Sequence, residues 1–288
     1  MKPDTVKKQK TSWHRLLAKL LELVLSQVKI EVLPDVSVMT DPPEADILLL
    51  RRLTARWTAA QRALLPDGIR DSKASHILIE FKYTQSFNED ALAQAIGYDF
   101  FYKQAKQLSP VEMQTVILSA KTPRADTLER LGFKKTKVAG VYRSKIPVFE
   151  RILLLVLNDL SNEPHNAGVK YFSSRQKAKQ QALQHLKKLD LMSLNNEFKS
   201  LICGLRKIWA IFIKGGTKMR MEYTPEEVME FGKEFGDVWL AGLTPSELLK
   251  KFTPSERMVG LKPSERLAGL KSSEIEDYLK QLKKREHA

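Results

Sequence analysis

The sequence predicts an α/β fold, in which a mixed central sheet is flanked by helices and followed by a helical extension. Three observations support this prediction. Residues 12–28 carry apolar side chains at helical spacing, residues 77–83 are rich in β-branched and aromatic side chains, and an apolar run at 116–119 follows a second helical stretch. The chain of 288 residues is long enough for one sizeable core and an appendage.

The N-terminal part is predicted to begin with a helix and two strands. The apolar stripe of residues 12–28 is expected to lie against the sheet. Two β-like segments follow at 30–39 and 46–50, and a proline-rich, acidic stretch separates them. Thr58 and Gln61 have the spacing of a capping box, which predicts a short helix closed by a Pro-Asp-Gly turn.

The next elements are predicted to alternate between strands and helices. Residues 77–83 form the clearest predicted strand, and Ser86 with Glu89 predicts the cap of a helix that ends near Leu108. Further β-like runs lie at 116–119, 138–142 and 152–157. The order helix, three strands, helix, strand predicts one domain over residues 1–172.

Beyond residue 172 the composition becomes that of helices. Residues 173–222 are rich in Lys, Gln, Leu and Ala and predict a basic helical segment. Residues 223–288 predict a helical tail with a nine-residue repeat, whose four units begin at Leu243, Phe252, Leu261 and Leu270. Because most units supply a cap, a first-turn proline and a glutamate, each predicts a one-turn helix. Such small units favour an arm that binds a protein partner or a second copy of the chain.

Cysteine content and hydropathy exclude several classes of protein. The single cysteine, Cys203, allows no intrachain disulfide and no paired-cysteine zinc site, which indicates a reducing compartment. The longest apolar runs are too short to span a membrane, and no signal-peptide pattern follows the basic N-terminus. We therefore expect a soluble, cytoplasmic protein without a membrane partner.

The charge distribution indicates a polyanionic partner. The chain has a net charge of +14, and twelve basic residues but only two acidic residues lie between positions 170 and 220. Such an excess is typical of nucleic-acid-binding proteins and also of solvated helix faces. The candidate phosphate contacts in this segment are Lys177, Lys179, Lys187 and Lys188.

Acidic, basic and amide side chains are predicted to converge in the first domain. Asp46 opens a strand that is predicted to be buried. Glu80 and Lys82 lie two residues apart near the end of another strand, so their side chains share one face. Gln94 and Tyr98 lie four residues apart on the following helix and share a face as well.

This set is suited to phosphodiester hydrolysis. Two carboxylates from adjacent strands, together with the backbone carbonyl of Phe81, can hold Mg²⁺, and Mn²⁺ is expected to substitute for it. The metal would activate a water molecule and neutralise charge that develops on phosphorus. Lys82 would orient the attacking water or stabilise the charged phosphate.

The motifs resemble those of the PD-(D/E)XK nuclease superfamily. Asp46 and the Glu80-Phe81-Lys82 motif occur in the order of that superfamily, and Gln94 with Tyr98 is similar to the glutamine and tyrosine motif of its RecB-like members. The whole chain resembles the recombination-promoting nuclease and transposase-like group of bacteria, in its cyanobacterial form. The resemblance implies a restriction-endonuclease-like fold, Mg²⁺-dependent cleavage of DNA, and a role for Gln94 and Tyr98 in DNA contact and active-site support. We expect the substrate to be double-stranded DNA, although the sequence itself does not distinguish DNA from RNA.

Several alternatives remain open at this point. Asp35 borders the preceding predicted strand and competes with Asp46 as the first acid. Glu22 lies on the first predicted helix, and it is either an additional metal or water contact or a residue of the outer face. The chain could also keep a nuclease fold without cleavage and serve as a nucleic-acid-binding or partner-binding protein.

Overall fold

The structure, a computed structural model, describes seven stretches of the chain. They are residues 13–34, 47–54, 56–147, 149–189, 195–214, 223–241 and 253–286. The chain divides into two compact units, Met1–Phe235 and Gly236–Ala288. Within the described ranges, no helix combines the length and the apolar character that crossing a bilayer requires.

The first unit is built on a mixed sheet, to which the described residues contribute seven strands. They are β1 (Ile30–Pro34), β2 (Ile47–Arg52), β3 (His76–Lys82), β4 (Met113–Ser119), β5 (Phe133–Lys135), β6 (Val141–Ser144) and β7 (Ile152–Val156). Their order across the sheet is β1-β2-β3-β4-β7-β6-β5. The pairs β3/β4 and β4/β7 are parallel, and the other neighbours are antiparallel. The predicted α/β class with a mixed sheet is therefore confirmed.

Helices flank this sheet. They are α1 (Trp13–Leu25), α2 (Ala59–Leu64), α3 (Glu89–Lys106), α4 (Ala125–Arg130), α5 (Ala167–Lys170), α6 (Gln176–Leu186), α7 (Asn196–Lys214) and the part of α8 (Pro225–Ala241) that lies in this unit. The predicted capping box of Thr58 and Gln61 is present at the start of α2. The cap of α3 is Asn88 rather than Ser86, because the Asn88 side chain accepts a hydrogen bond from the backbone of Ala91.

Successive side chains of β3 point to opposite faces of the sheet. Ile77, Ile79 and Phe81 belong to the core that also contains the buried leucines of α1. Leu78 packs on the opposite face with Tyr102 of α3. Because side chains alternate along a strand, Glu80 and Lys82 share the α3 face with Leu78.

The first unit continues well beyond residue 172, where the composition change predicts a domain boundary. Buried residues of α6 and α7 belong to the same core as α1 and the sheet, and they include Leu186, Phe198, Leu201, Leu205 and Ile208. The helices of the basic segment are thus part of the main core, and their charged residues lie around an apolar face that packs inward.

The second unit contains the described part of the repeat region. Its helices are α9 (Pro254–Arg257), α10 (Pro263–Arg266) and α11 (Ser272–Glu286), and the first two are one-turn helices as predicted. The backbone amide of Lys262 donates a hydrogen bond to Glu265 Oε2 at 2.7 Å, which is one of the two hydrogen bonds of a capping box. Gly260 and Gly269 adopt left-handed φ values of 83° and 88°, so each turn ends at a glycine before the next begins.

Candidate functional site

Glu80 and Lys82 meet at the C-terminal end of β3. The Glu80 side chain is only 1% exposed, and its Oε1 lies 2.6 Å from Lys82 Nζ. The Lys82 side chain is 15% exposed. The two-residue spacing places both groups on one face, so the contact follows directly from the geometry of an extended strand. The result is an ion pair at the C-terminal end of a central strand. Its carboxylate is buried and its cation lies close to solvent.

Helix α3 adds an amide to this pair. Lys82 Nζ donates a hydrogen bond to Gln94 Oε1 at 2.8 Å. Leu92 and Ala95 of α3 are buried against the sheet, which turns Gln94 towards the end of β3. Tyr98 lies one turn further along α3, where it is partly buried against the apolar cluster of Leu49 and Leu78. The structure therefore brings Glu80 and Gln94 into contact with Lys82, and it places Tyr98 one turn after Gln94 on α3.

The strand register defines the surroundings of the pair. Lys82 pairs with Ser119 of β4, and the Ala120 amide donates to the Lys82 carbonyl at 2.9 Å. Because successive carbonyls of a strand point to opposite neighbours, the carbonyl of Phe81 points to the β2 side. On that side Ile47, the first residue of β2, is the register partner of Glu80.

Both candidate first acids, Asp35 and Asp46, lie outside the described residues. In sequence, Asp46 immediately precedes Ile47. The described part of the chain, which leaves out both acids, contains no group of three or more His, Cys, Asp or Glu side chains that could hold a metal ion. The Glu80 carboxylate and the Phe81 carbonyl are nevertheless the hard oxygen ligands that Mg²⁺ takes, so the donor types at this end of β3 fit that cation.

Glu22 does not join this group. It lies on α1, which packs on the face of the sheet opposite to Glu80. Its side chain is exposed and forms an ion pair with Lys19 at 3.2 Å. The position on the outer face, one of the two interpretations that the sequence allows, is the one that the structure shows.

The four lysines predicted to contact phosphates fall into two groups. Lys177, Lys187 and Lys188 are exposed on or beside α6. Lys179 is buried, so the prediction that it contacts a nucleic acid from the surface needs correction. Its Nζ lies 3.5 Å from the ring centroid of Trp209 and donates to the Tyr83 hydroxyl at 3.2 Å.

The surroundings of Lys179 change its protonation. Burial lowers the pKa of its amine to about 7, from an ordinary value of 10.5. The faces of Trp209 and Tyr83 oppose part of this effect, because the negative faces of aromatic rings favour a cation. Helical periodicity contains a signal for this burial, because Lys179 lies three and seven positions before the buried Ala182 and Leu186. The partner Trp209 is thirty positions further along the chain and could not be assigned from local spacing.

Lys121 is a basic residue beside the site, and its position could have been predicted from the sequence. Lys121 Nζ donates to the backbone carbonyl of Thr84, at 2.6 Å, just past the end of β3. Lys121 follows by two positions Ser119, the register partner of Lys82. A parallel pairing of β3 with the strand at 116–119 would have predicted this proximity.

No protein family, no curated protein and no solved structure matches the chain.

Proposed function

We propose that this chain is a Mg²⁺-dependent DNA endonuclease with a restriction-endonuclease-like fold, and that it belongs to the PD-(D/E)XK superfamily in its recombination-promoting, transposase-like group. The observation that carries the proposal is the contact of Glu80, Lys82 and Gln94 at one end of β3. The order α1-β1-β2-α2-β3-α3-β4, with β3 and β4 parallel, supports it as well.

Each residue has a distinct role in the proposed reaction. Glu80, the carbonyl of Phe81 and either Asp46 or Asp35 would hold Mg²⁺, with Mn²⁺ as a substitute. When bound there, the metal would supply an activated water and neutralise charge on the phosphate. Lys82 orients that water or stabilises charge on the phosphate oxygens, and no covalent enzyme intermediate forms.

Gln94 and Tyr98 support the reaction from α3. The Gln94 side-chain oxygen accepts a hydrogen bond from Lys82 Nζ at 2.8 Å, in addition to the contact of Nζ with Glu80. An ammonium held between two oxygens loses little entropy when the substrate arrives, so its position is set in advance. Tyr98 contributes packing at this part of α3 and borders the surface on which DNA is proposed to lie.

A second candidate function has one observation in its favour. Lys82 and Glu80 are already in contact, and a neutralised pair can be a purely structural feature of a binding protein. In that case the fold binds double-stranded DNA or a protein partner without cleaving it. The repeat region would serve the same partner or a second copy of the chain.

A plasmid-nicking assay tests the proposed function. The parent chain is expected to nick supercoiled DNA with Mg²⁺ or Mn²⁺ and to lose all activity with EDTA. Glu80→Gln is expected to abolish nicking, whereas Glu150→Gln, the same change at an exposed carboxylate, is expected to leave it intact. Asp46→Asn and Asp35→Asn identify the first acid, because only one of them should abolish cleavage.

Two outcomes would contradict the proposal. If purified parent protein binds DNA but shows no metal-dependent nicking, the chain is the binding protein of the second candidate. If Glu80→Gln and Glu150→Gln nick at the same rate, the active site lies elsewhere.

A further inference from the structure

The C-terminal ends of three strands lie along one edge of the sheet. Strands β3, β4 and β7 are parallel neighbours, and Lys82, Ser119 and Val156 occupy one register line across them. In parallel sheets the loops that follow such strand ends form the usual ligand-binding edge. This edge carries Lys82, so the adjoining loops flank the candidate site.

Two exposed basic residues continue this edge away from Lys82. Lys121, in the loop after β4, is fixed by its 2.6 Å hydrogen bond to the Thr84 carbonyl. Arg175, just before α6, donates from Nη2 to Thr122 Oγ1 at 3.3 Å, and its side chain is 60% exposed. Among the described residues, Arg175 forms an ion pair with Asp159, whose Oδ1 lies 3.6 Å from Nη1.

Asn158 holds the loops of this edge together. Its Nδ2 donates to Thr122 Oγ1 at 3.2 Å and to Ser174 Oγ at 2.9 Å. Its Oδ1 accepts from the backbone amide of Arg175 at 3.0 Å. The Asn158 side chain thus joins the loop after β4 to the start of α6. These hydrogen bonds hold in place the two loops that carry Lys121 and Arg175.

We propose that Lys82, Lys121 and Arg175 form a row of cations that binds successive phosphates of one DNA strand, with Lys82 at the scissile phosphate. This rests on the proposed function, because it assigns the reacting phosphate to Lys82. Two strand spacings across the sheet span about 10 Å. A DNA strand rises about 3.4 Å per nucleotide, so the three strand ends span about three nucleotide steps, which is enough for three cations to reach three phosphates of one strand.

The same geometry predicts a smaller contribution from Lys187 and Lys188. Lys187 and Lys188 follow the C-terminal end of α6, whereas Arg175 precedes its first residue. At 1.5 Å per residue, about 18 Å of helix separates Lys187 from Arg175. Lys177, also exposed, lies in the first turn of α6 and extends the row by one side chain.

The experiment measures DNA binding in EDTA, where no cleavage can occur. Binding of the full chain to a short fluorescent duplex is followed by anisotropy over a series of KCl concentrations. The double variant Lys121→Gln/Arg175→Gln is expected to weaken binding about tenfold and to reduce the slope of log affinity against log salt by about 1.8, since two phosphate contacts are lost.

The matched control is Lys134→Gln/Lys135→Gln. It removes the same charge from exposed positions on β5, the edge strand on the far side of the sheet. The control is expected to retain the parent's slope. Equal losses in the two double variants, or a parent that does not bind the duplex, would overturn the inference.

Nicking measured in parallel separates this inference from the proposed function. If Lys121→Gln/Arg175→Gln loses affinity and the parent shows no metal-dependent nicking, the row of cations is supported and the nuclease function is rejected. Nicking by the parent, with unchanged binding by Lys121→Gln/Arg175→Gln, supports the nuclease and rejects the row.

Discussion

Two lysines on opposite faces of the sheet hold their ammonium groups in different ways. On the α3 face, Lys82 Nζ lies between the carboxylate of Glu80 and the side-chain oxygen of Gln94. On the α1 face, the described contacts of Lys179 Nζ are the ring of Trp209 and the hydroxyl and ring of Tyr83. Tyr83 follows Lys82 in sequence, so the two sites lie back to back at one end of β3.

The difference shows what a buried cation requires. Transfer of a charge out of water is costly unless an opposite charge and hydrogen bonds replace the lost hydration. Lys82 has both, so its charge is available to act on a substrate. Lys179 has a hydroxyl and ring faces, which recover only part of the cost, and burial lowers its pKa to about 7. Lys82 is thus suited to act on a substrate, whereas Lys179 is suited to packing in the core.

The largest expected effect is on cleavage. Lys82→Met should reduce the rate of metal-dependent nicking by about 100-fold or more, because a cation aimed at the reacting phosphate acts on the transition state. Lys179→Met is the matched substitution on the other face and should leave the rate close to that of the parent. Equal loss of activity in both variants would remove the distinction between the two lysines.

The second effect is on stability. Lys82→Met removes one partner of a buried ion pair and should lower the free energy of unfolding by about 3 kcal/mol. Glu80→Gln should also destabilise the protein, for the same reason. Crowded carboxylates at a metal site would predict the opposite sign for Glu80→Gln, so urea unfolding of this variant tests which interaction dominates.

A double-mutant cycle isolates the pair. If the ion pair is the source of both losses, Glu80→Gln/Lys82→Met should be more stable than the sum of the single changes predicts, by about 2 kcal/mol. Additive losses would show that the residues act separately.

Part of this comparison could be predicted from the sequence. The spacing of Glu80 and Lys82 on a strand predicts their shared face, and the four-residue spacing of Gln94 and Tyr98 predicts theirs. Both are local properties, which depend only on the repeat of a strand or a helix. The sheet class follows in the same way from the order of periodic segments.

The remainder depends on contacts between distant segments. Lys179 shares a helix face with Ala182 and Leu186 and is buried with them, whereas Lys177 lies on another face and is exposed. The contact of Lys179 with Trp209 follows only from the packing of α6 and α7 in one core. The three-residue strand β5 was not predicted either, since it exists through its pairing with β6. The cap of α3 moved from Ser86 to Asn88 because both residue types cap helices and only the fold selects one.

The third effect concerns the pH dependence of stability. In the unfolded chain Lys179 keeps its proton up to its ordinary pKa of 10.5, whereas in the folded protein it loses it above about 7. Between these values the unfolded state binds more protons, so Lys179 makes the parent more stable as the pH rises. Below about 7 both states are protonated, and the cost of the buried charge is complete.

Lys179→Met removes this cost. We expect a gain of about 2 kcal/mol below neutral pH, which is less than the full pKa change implies because the ring contacts already return part of it. The gain should shrink as the pH approaches 10.5. Urea unfolding of parent and variant across this range measures the difference, and a gain that is constant with pH would show that the amine does not change protonation on folding.

The smallest expected effect comes from Gln94, which acts on the reaction through Lys82. Gln94→Ala removes the 2.8 Å hydrogen bond to Nζ and should lower kcat about tenfold while KM and stability change little, since the amide is exposed. Gln104→Ala, the same change at an exposed position of α3, should have no effect. Gln94→Glu keeps an oxygen that can accept from Lys82 and should restore part of kcat. If Gln94→Ala instead raises KM alone, the amide contacts DNA directly, and Lys82 is held in place by Glu80.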